Sequence, residues 1–176
     1  MTTAGSLSRG FAPICGPKPA VLILGSLPGD ASIAAQRYYA HPRNAFWPII
    51  SATLGFSADA GYDERCRRLI AAGVALWDVL GAAERPGSLD SAIRAASVQP
   101  NPLAQWLSRR PTIAAVLLNG GKAAALFERH IVRGATQRYA IERLPSTSPA
   151  YAAMTVADKS SEWQDALVRY LPALAR

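Results

Sequence analysis

The amino-acid sequence predicts an α/β fold, a three-layer αβα sandwich around a central four-stranded parallel sheet. Three observations lead there. Runs of strand length at residues 21–24, 74–79, 113–118 and 139–144, the first of them continuously apolar, alternate with stretches of helical periodicity. Strand–helix–strand connections cross over right-handedly and set helices on both faces of a parallel sheet. Finally, a polar cluster follows each run: Gly25 to Asp30, Asp78, Asn119, and Ser146 to Ser148. In an open parallel sheet these clusters share the carboxyl edge, where such folds bind ligands.

Residues 1–19 read as an irregular lead-in, with Cys15 packed at the edge of the fold. The run 21–24, bounded by Pro19 and Gly25, suits a strand covered on both faces. The turn Leu27-Pro28-Gly29-Asp30 passes into a helix over 32–39, for which Asp30 can serve as N-cap. Phe46, Ile49, Ile50, Thr53 and Leu54 recur at the spacing of a helix with one buried face. Residues 63–72 form a helix made basic by Arg65, Arg67 and Arg68 and ended by Gly73 at a left-handed cap position. After the second strand, 81–97 reads as a polar loop running into a short helix. Asn101 is placed to cap a helix with Pro102 in its first turn and Leu103, Trp106 and Leu107 on its buried side. The third strand leads to a helix over 122–129, and the fourth to a helix over 157–171 with Trp163, Ala166, Leu167, Tyr170 and Leu171 on one stripe.

Composition narrows the function. The 176 residues, 50% of them hydrophobic, suit one domain spanning 1–176 with a substantial core. Nineteen Lys and Arg against twelve Asp and Glu give a net charge of +7, which favours an anionic partner such as nucleic acid, although a basic surface can also serve solubility alone. Two cysteines, Cys15 and Cys66, cannot supply a four-cysteine cluster or a disulfide framework and read as reduced thiols. No apolar run approaches the ~18 residues of a membrane span, and no signal-peptide pattern opens the chain. The expectation is a cytoplasmic monomer, without membrane association, metal or cofactor. A Walker loop, a dinucleotide glycine fingerprint and a Gly-x-Ser-x-Gly nucleophile turn are all missing, which weakens a small-molecule hydrolase reading.

The run Ala40-His-Pro-Arg-Asn-Ala-Phe-Trp47 after a Gly-x-x-Pro-Gly turn, Asn119 after Val116-Leu-Leu118, and Leu144-Pro-Ser-Thr-Ser-Pro149 occur in that order. Together they resemble the uracil-DNA glycosylase superfamily, especially its mismatch-specific and hypoxanthine-DNA glycosylase branches, over roughly residues 21–151. The resemblance implies a monofunctional enzyme that flips a deaminated base, uracil or hypoxanthine, out of DNA and hydrolyses its N-glycosidic bond, the first step of base-excision repair. Such a site needs an aromatic face, amides that read the base edge, and a group that places water or stabilises a cationic sugar. Phe46 is the candidate stacking ring, though it also lies on the helical core stripe, with Tyr38 or Tyr39 lining the pocket beside Ser26 and Leu27 of the first turn. Asn119 can pair with the base edge or cap the helix that follows.

Two positions depart from the pattern. The first turn of the well-known uracil enzymes carries an acidic residue or asparagine where this chain has Leu27, and the polar residue opening their last motif corresponds to Leu144. The hypoxanthine group shares the first departure, and there the asparagine matching Asn44 is implicated in catalysis. Asn44 is therefore the candidate that orients water or contacts the base, with Asp30 or His41 giving electrostatic help. Ser146, Thr147 and Ser148 suit a stiff loop donating to phosphates in the minor groove, with Tyr151 as a wedge. Arg43, Arg85 and Lys122 are candidate phosphate ligands. Asp78, Arg85 and Asp90 read as a structural ion-pair network. No lysine is placed as a Schiff-base nucleophile. With two familiar catalytic positions occupied by leucine, a non-catalytic sensor of damaged DNA is the alternative.

Overall fold

The computed structural model describes residues 7–131 and 138–174. A short strand, β1 (Leu7–Arg9), precedes β2 (Val21–Gly25), and then come helices α1 (Asp30–Ala35), α2 (Phe46–Leu54) and α3 (Tyr62–Ala71). Strands β3 (Val74–Asp78), β4 (Leu80–Glu84) and β5 (Gln99–Pro100) lead to α4 (Leu103–Ser108). Next are β6 (Ala115–Asn119), α5 (Gly121–His130), β7 (Ala140–Leu144) and α6 (Val156–Tyr170).

The central sheet has the order β3-β2-β6-β7, all parallel. Every residue of β2 is buried, and its side chains alternate between two cores. Val21 and Ile23 join Phe46, Ile49, Ile50, Leu69, Trp163 and Leu167 from α2, α3 and α6. Leu22 and Leu24 join Leu103, Leu107, Leu126 and Phe127 from α4 and α5. The expected sandwich, with helices on both faces of four parallel strands, is thus the observed one. Strand order turns back on either side of β2, so the crevice at its carboxyl end lies at a topological switch point.

A second, antiparallel sheet, β1-β4-β5, was not anticipated. Leu7 pairs with Glu84 and Leu80 with Pro100, with a register shift between Leu80 and Ala82. Residues 80–84 are Leu-Gly-Ala-Ala-Glu, without the β-branched and aromatic residues that mark strands, and the expectation of a loop from residue 81 is corrected here. Beyond it come two short 3₁₀ turns, Asp90–Ala92 and Ala95–Ser97, rather than a helix. The expected lead-in, of which residues 1–6 lie outside the described residues, is tied to the sheet: Ile14 makes an antiparallel bridge to Leu76, with hydrogen bonds of 2.9 Å in both directions.

Two caps differ from expectation. Gly29 is the N-cap of α1 and Asp30 its first residue; the Asp30 N–H donates to Ser88 Oγ at 2.9 Å. Asn101 does not cap α4: its Nδ2 donates to the Asp78 carbonyl at 2.9 Å, tying the end of β3 to the second sheet. Helix α1 stops at Ala35, short of Tyr39, because Gln36 takes a left-handed conformation (φ 53°). Among the described residues no helix is long and apolar enough to cross a membrane.

Candidate active site

The site begins where β2 ends. Gly25 lies opposite Asp78 in the β2–β3 register. A Cβ at residue 25 would stand 2.5 Å from Asp78 Oδ1 and 3.0 Å from the Tyr39 hydroxyl, so glycine is required for these two groups to close over the backbone. The following turn is held from two sides. Val79 N–H donates to the Gly25 carbonyl and Leu80 N–H to that of Ser26, at 2.8 and 3.0 Å. Arg85, 4% exposed, donates to the Leu27 carbonyl at 3.2 Å and to that of Pro28. Its Nε donates to the Gly87 carbonyl. Arg85 is therefore a brace for the first turn, and the reading of it as a phosphate ligand is corrected.

Ser26 donates to Asp90 Oδ2 at 2.7 Å, and Asp90 Oδ1 lies 3.5 Å from Arg85. Asp78 stands apart from this pair. It is 4% exposed, and Oδ2 is buried with no hydrogen-bond partner. Burial, reinforced by the nearby negative charge of Asp90 and only partly offset by Arg85, raises its carboxyl to about 8. Asp90 is raised as well, by burial, against the opposing hydrogen bond from Ser26 and the charges of Arg85 and Lys122. The expected ion-pair network thus reduces to Arg85 with Asp90. Asp78 is a buried acid held protonated near neutrality.

The opposite wall is built on aromatic rings. Tyr39 has φ 53° and stacks on Phe46 with centroids 4.0 Å apart and planes at 19°. Phe46 is 0% exposed and also meets Trp47 and Trp163 edge-on, so it supports Tyr39 from behind and does not reach the cavity. The expectation that Phe46 stacks on the base is corrected on that ground. Tyr38 is buried, donates to the Ala12 carbonyl at 3.1 Å, and receives the Trp47 indole N–H on its own carbonyl at 2.9 Å. Burial raises both tyrosines well above the ordinary phenol value.

Between Tyr39 and α2 the chain turns through His41 to Asn44. His41 Nδ1 accepts from the Arg43 N–H at 3.2 Å, and the His41 carbonyl accepts from the Asn44 N–H at 2.9 Å. Asn44 Oδ1 accepts the Phe46 N–H at 2.9 Å, satisfying one free donor at the start of α2 and fixing the carboxamide at the cavity wall.

Asn119, at the end of β6, ties three segments together. Its Nδ2 donates to the Tyr39 hydroxyl and to Thr147 Oγ1, each at 3.0 Å, and its Oδ1 accepts the Thr147 N–H at 2.9 Å. The Thr147 carbonyl takes the Ala45 N–H, and Trp163 Nε1 donates to the Pro145 carbonyl, each bond completing the anchorage of the loop after β7. Lys159 donates to the Tyr151 carbonyl at 2.6 Å and to that of Ser148 at 3.4 Å. Gly120 (φ 95°) makes room for this loop, since a Cβ there would lie 2.8 Å from that of Ser146.

These pieces enclose a cavity of about 360 Å³, within the range of small-molecule sites. Of the residues singled out in the sequence, Ser26, Leu27 and Asp30 line one side and Tyr38, Tyr39, His41, Arg43 and Asn44 another; Asn119, Ser146, Thr147 and Ser148 complete it. Phe46, Lys122 and Tyr151 lie off its wall. Leu27 and Leu144 are both packed into the cores, 5% and 6% exposed. Asp78 and the segment Ser88-Leu89-Asp90 also line the cavity. The alternation of polar and turn residues over 85–90 marked that segment as a loop, but gave no indication that it folds back over β2. Among the described residues no group of three or more His, Cys, Asp or Glu side chains could hold a metal ion.

Comparison with known proteins agrees with this geometry. Residues 12–172 match the family model described as the uracil DNA glycosylase superfamily. The chain is 33% identical to a hypoxanthine DNA glycosylase of Methanosarcina acetivorans over 159 residues, 90% of this chain and 96% of that one. It is 35% identical to a hypoxanthine DNA glycosylase of Methanosarcina barkeri over 116 residues, covering 65% of this chain and 72% of the relative. The solution NMR structure of a candidate uracil DNA glycosylase from M. acetivorans superposes with a TM-score of 0.79 at 32% identity, covering 94% of this chain and 99% of that one. With the sheet order, the edge cavity and the matched length in agreement, the chain belongs to the uracil DNA glycosylase superfamily and is a DNA N-glycosylase.

Proposed function

We propose that the protein excises deaminated bases, hypoxanthine and uracil, from DNA by hydrolysis, leaving an abasic site and initiating base-excision repair. The supporting observation is the convergence of the Gly25 turn, Tyr39, Asn44, Asn119 and the loop after β7 on one cavity large enough for a flipped base. Two relatives carry the name hypoxanthine DNA glycosylase, which favours hypoxanthine as a substrate.

In this reading Tyr39, backed by Phe46, is the aromatic wall against which the base lies. Asn44 positions the attacking water or contacts the base, its carboxamide oriented by the bond to the Phe46 N–H. His41 and Asp30, at the cavity rim, assist departure of the base and stabilise the sugar cation. Asn119, with both amide ends engaged, holds Tyr39 and Thr147 in place rather than meeting the base directly. Ser146 and Ser148 accept backbone N–H groups at 3.2 Å from Ser148 and Ala150, leaving their hydroxyl protons for phosphate. Arg43, exposed at the rim, adds a phosphate contact, with Lys122 and Tyr151 further out along the strand. The enzyme acts as a monomer in the cytoplasm. No lysine lines the cavity among the described residues, which accords with hydrolysis rather than a Schiff-base lyase.

The test uses end-labelled duplexes carrying hypoxanthine, uracil or xanthine, incubated with the protein and then treated with hot alkali. Breaks at the modified base in the hypoxanthine and uracil duplexes are the expected result. Tight binding without breaks would make the protein a damage sensor, and neither binding nor breaks would reject DNA repair as its role.

A further inference from the structure

A second cavity, of about 330 Å³, shares a wall with the first: Tyr38, Tyr39, His41 and Asn44 line both. Its other walls include Arg37, Trp47, Asp59, Tyr62 and Arg65. Half-buried Arg65 stands over two rings, its Cζ 4.9 Å from the Trp47 centroid and 5.8 Å from that of Tyr62. Exposed Arg37 puts a second Cζ 5.5 Å from the Tyr62 centroid. Two guanidiniums thus gather on one aromatic ring.

Neither is neutralised within the fold. Arg67 and Arg68, on the same helix as Arg65, are both paired with Glu64; among the described residues Arg37 and Arg65 form no ion pair. Asp59 lines the cavity without pairing with either. Arg65 Nε is buried and has no hydrogen-bond partner, a costly state that native folds seldom keep without a use for it. A guanidinium held over a ring keeps its in-plane N–H donors, whose fork matches phosphate oxygens. His41 adds Nε2 as a donor, because its Nδ1 accepts from Arg43.

We propose that this cavity is a phosphate-binding site, distinct from the base cavity and centred on Arg37 and Arg65. Its ligand is a phosphate group, carried by a DNA strand or free in solution. Only assignment to a strand rests on the glycosylase reading above. The rings beneath Arg65 also fix the backbone that leads to Tyr39. The Tyr62 hydroxyl accepts the Tyr38 N–H at 3.0 Å, and the Trp47 indole donates to the Tyr38 carbonyl at 2.9 Å. Gln36 and Tyr39, on either side of Arg37 and Tyr38, both take φ of 53°, an uncommon conformation that holds where its surroundings enforce it. An anion bound here therefore bears on a wall of the base cavity.

Two arms test the site. In the first, nitrogen-15-labelled protein is titrated with inorganic phosphate against chloride at matched ionic strength. Phosphate should shift the Arg65 Nε–H and Trp47 indole resonances to saturation. Arg37→Gln, a change at an exposed position, should weaken this binding at least about tenfold through its lost charged hydrogen bonds. Arg68→Gln, the same charge change on α3, should leave it within about twofold. Equal losses in the two variants overturn the site in favour of general surface charge. In the second arm, hypoxanthine duplexes carry one neutral methylphosphonate linkage, moved stepwise along the strand. A linkage whose neutralisation weakens binding by the parent but not by Arg37→Gln assigns the site to the strand; a phosphate response with no such linkage assigns it to a free phosphate. Resonances unmoved by phosphate, with no linkage distinguished, overturn the proposal. A parent that neither binds nor cuts the duplexes overturns the substrate reading alone, since the phosphate titration uses no DNA.

Discussion

The two walls of the cavity handle their polar groups in opposite ways. Around Asn119, each polar end of the side chain meets a partner, binding β6, Tyr39 and the loop after β7 into one unit. Around Gly25, Asp78 keeps a buried oxygen with none. A saturated network spends its bonding capacity on shape, whereas an unsaturated group keeps its capacity for a ligand and destabilises the unliganded fold. The first wall is satisfied from within and the second is not. Substitutions should separate the two accordingly.

The largest effect is expected at the unsatisfied side. Between the ordinary carboxylate value of 3.8 and about 8, the folded protein retains a proton on Asp78 that the unfolded chain has lost. This contribution makes stability fall as pH rises through that window and level off above it, by up to about 1.4 kcal/mol per pH unit. Asp78→Asn removes the slope, so urea unfolding at pH 5 and pH 8 should show the variant gaining on the parent at the higher pH. Equal differences at the two pH values would place the carboxyl in an ordinary ionised state.

Asn44 comes next. Asn44→Ala should lower single-turnover excision by at least about 100-fold if its carboxamide is a principal catalytic group. The lost bond to the Phe46 N–H alone costs about 1 kcal/mol of stability. Asn44→Asp keeps an acceptor for that N–H but loses the amide donors. Near-parental rates in Asn44→Asp would show that the amide donors are dispensable and leave only the acceptor oxygen at work.

On the saturated wall, Asn119→Ala should cost about 2 kcal/mol in urea unfolding, because Tyr39 and Thr147 lose partners together. A smaller effect on excision by Asn119→Ala than by Asn44→Ala would mark Asn119 as scaffold. The reverse ranking would bring it back to the base edge. Further out, Arg43→Ala should reduce the slope of log affinity against log salt by about 1, leaving base preference unchanged. The smallest effect is expected at Arg67, an exposed partner of Glu64 on α3, where alanine should change stability by under about 0.5 kcal/mol.

How legible these walls were in the sequence depended on distance along the chain. Strands β2, β3 and β6 are apolar runs up to their last residue, and a doubly covered strand announces itself that way, while β7 carries Glu142 and Arg143 and was placed by its position after a helix, so the sandwich and the shared edge could be read directly. The stripe of α2 was equally plain, but the same stripe carried Phe46 into the core and made Tyr39 the ring at the cavity. Periodicity does not reveal which of two nearby rings covers the other. Asp78 looked like a member of an ion-pair network because sequence lists charges without their partners. Only the fold shows Arg85 turned towards three carbonyls and Asp90. Strand β4 was hidden by its glycine and alanines, and with it the path that brings Ser88 to Asp90 over the cavity.

The bridge between Ile14 and Leu76 has a consequence for self-association. Its two backbone hydrogen bonds occupy the outer side of β3 at its midpoint, while the opposite border, β7, carries Glu142 and Arg143, with Glu142 engaged by Arg169 and Tyr170. One margin of the sheet is thereby plugged and the other is charged, two devices that discourage neighbouring molecules from adding strands and growing into fibres.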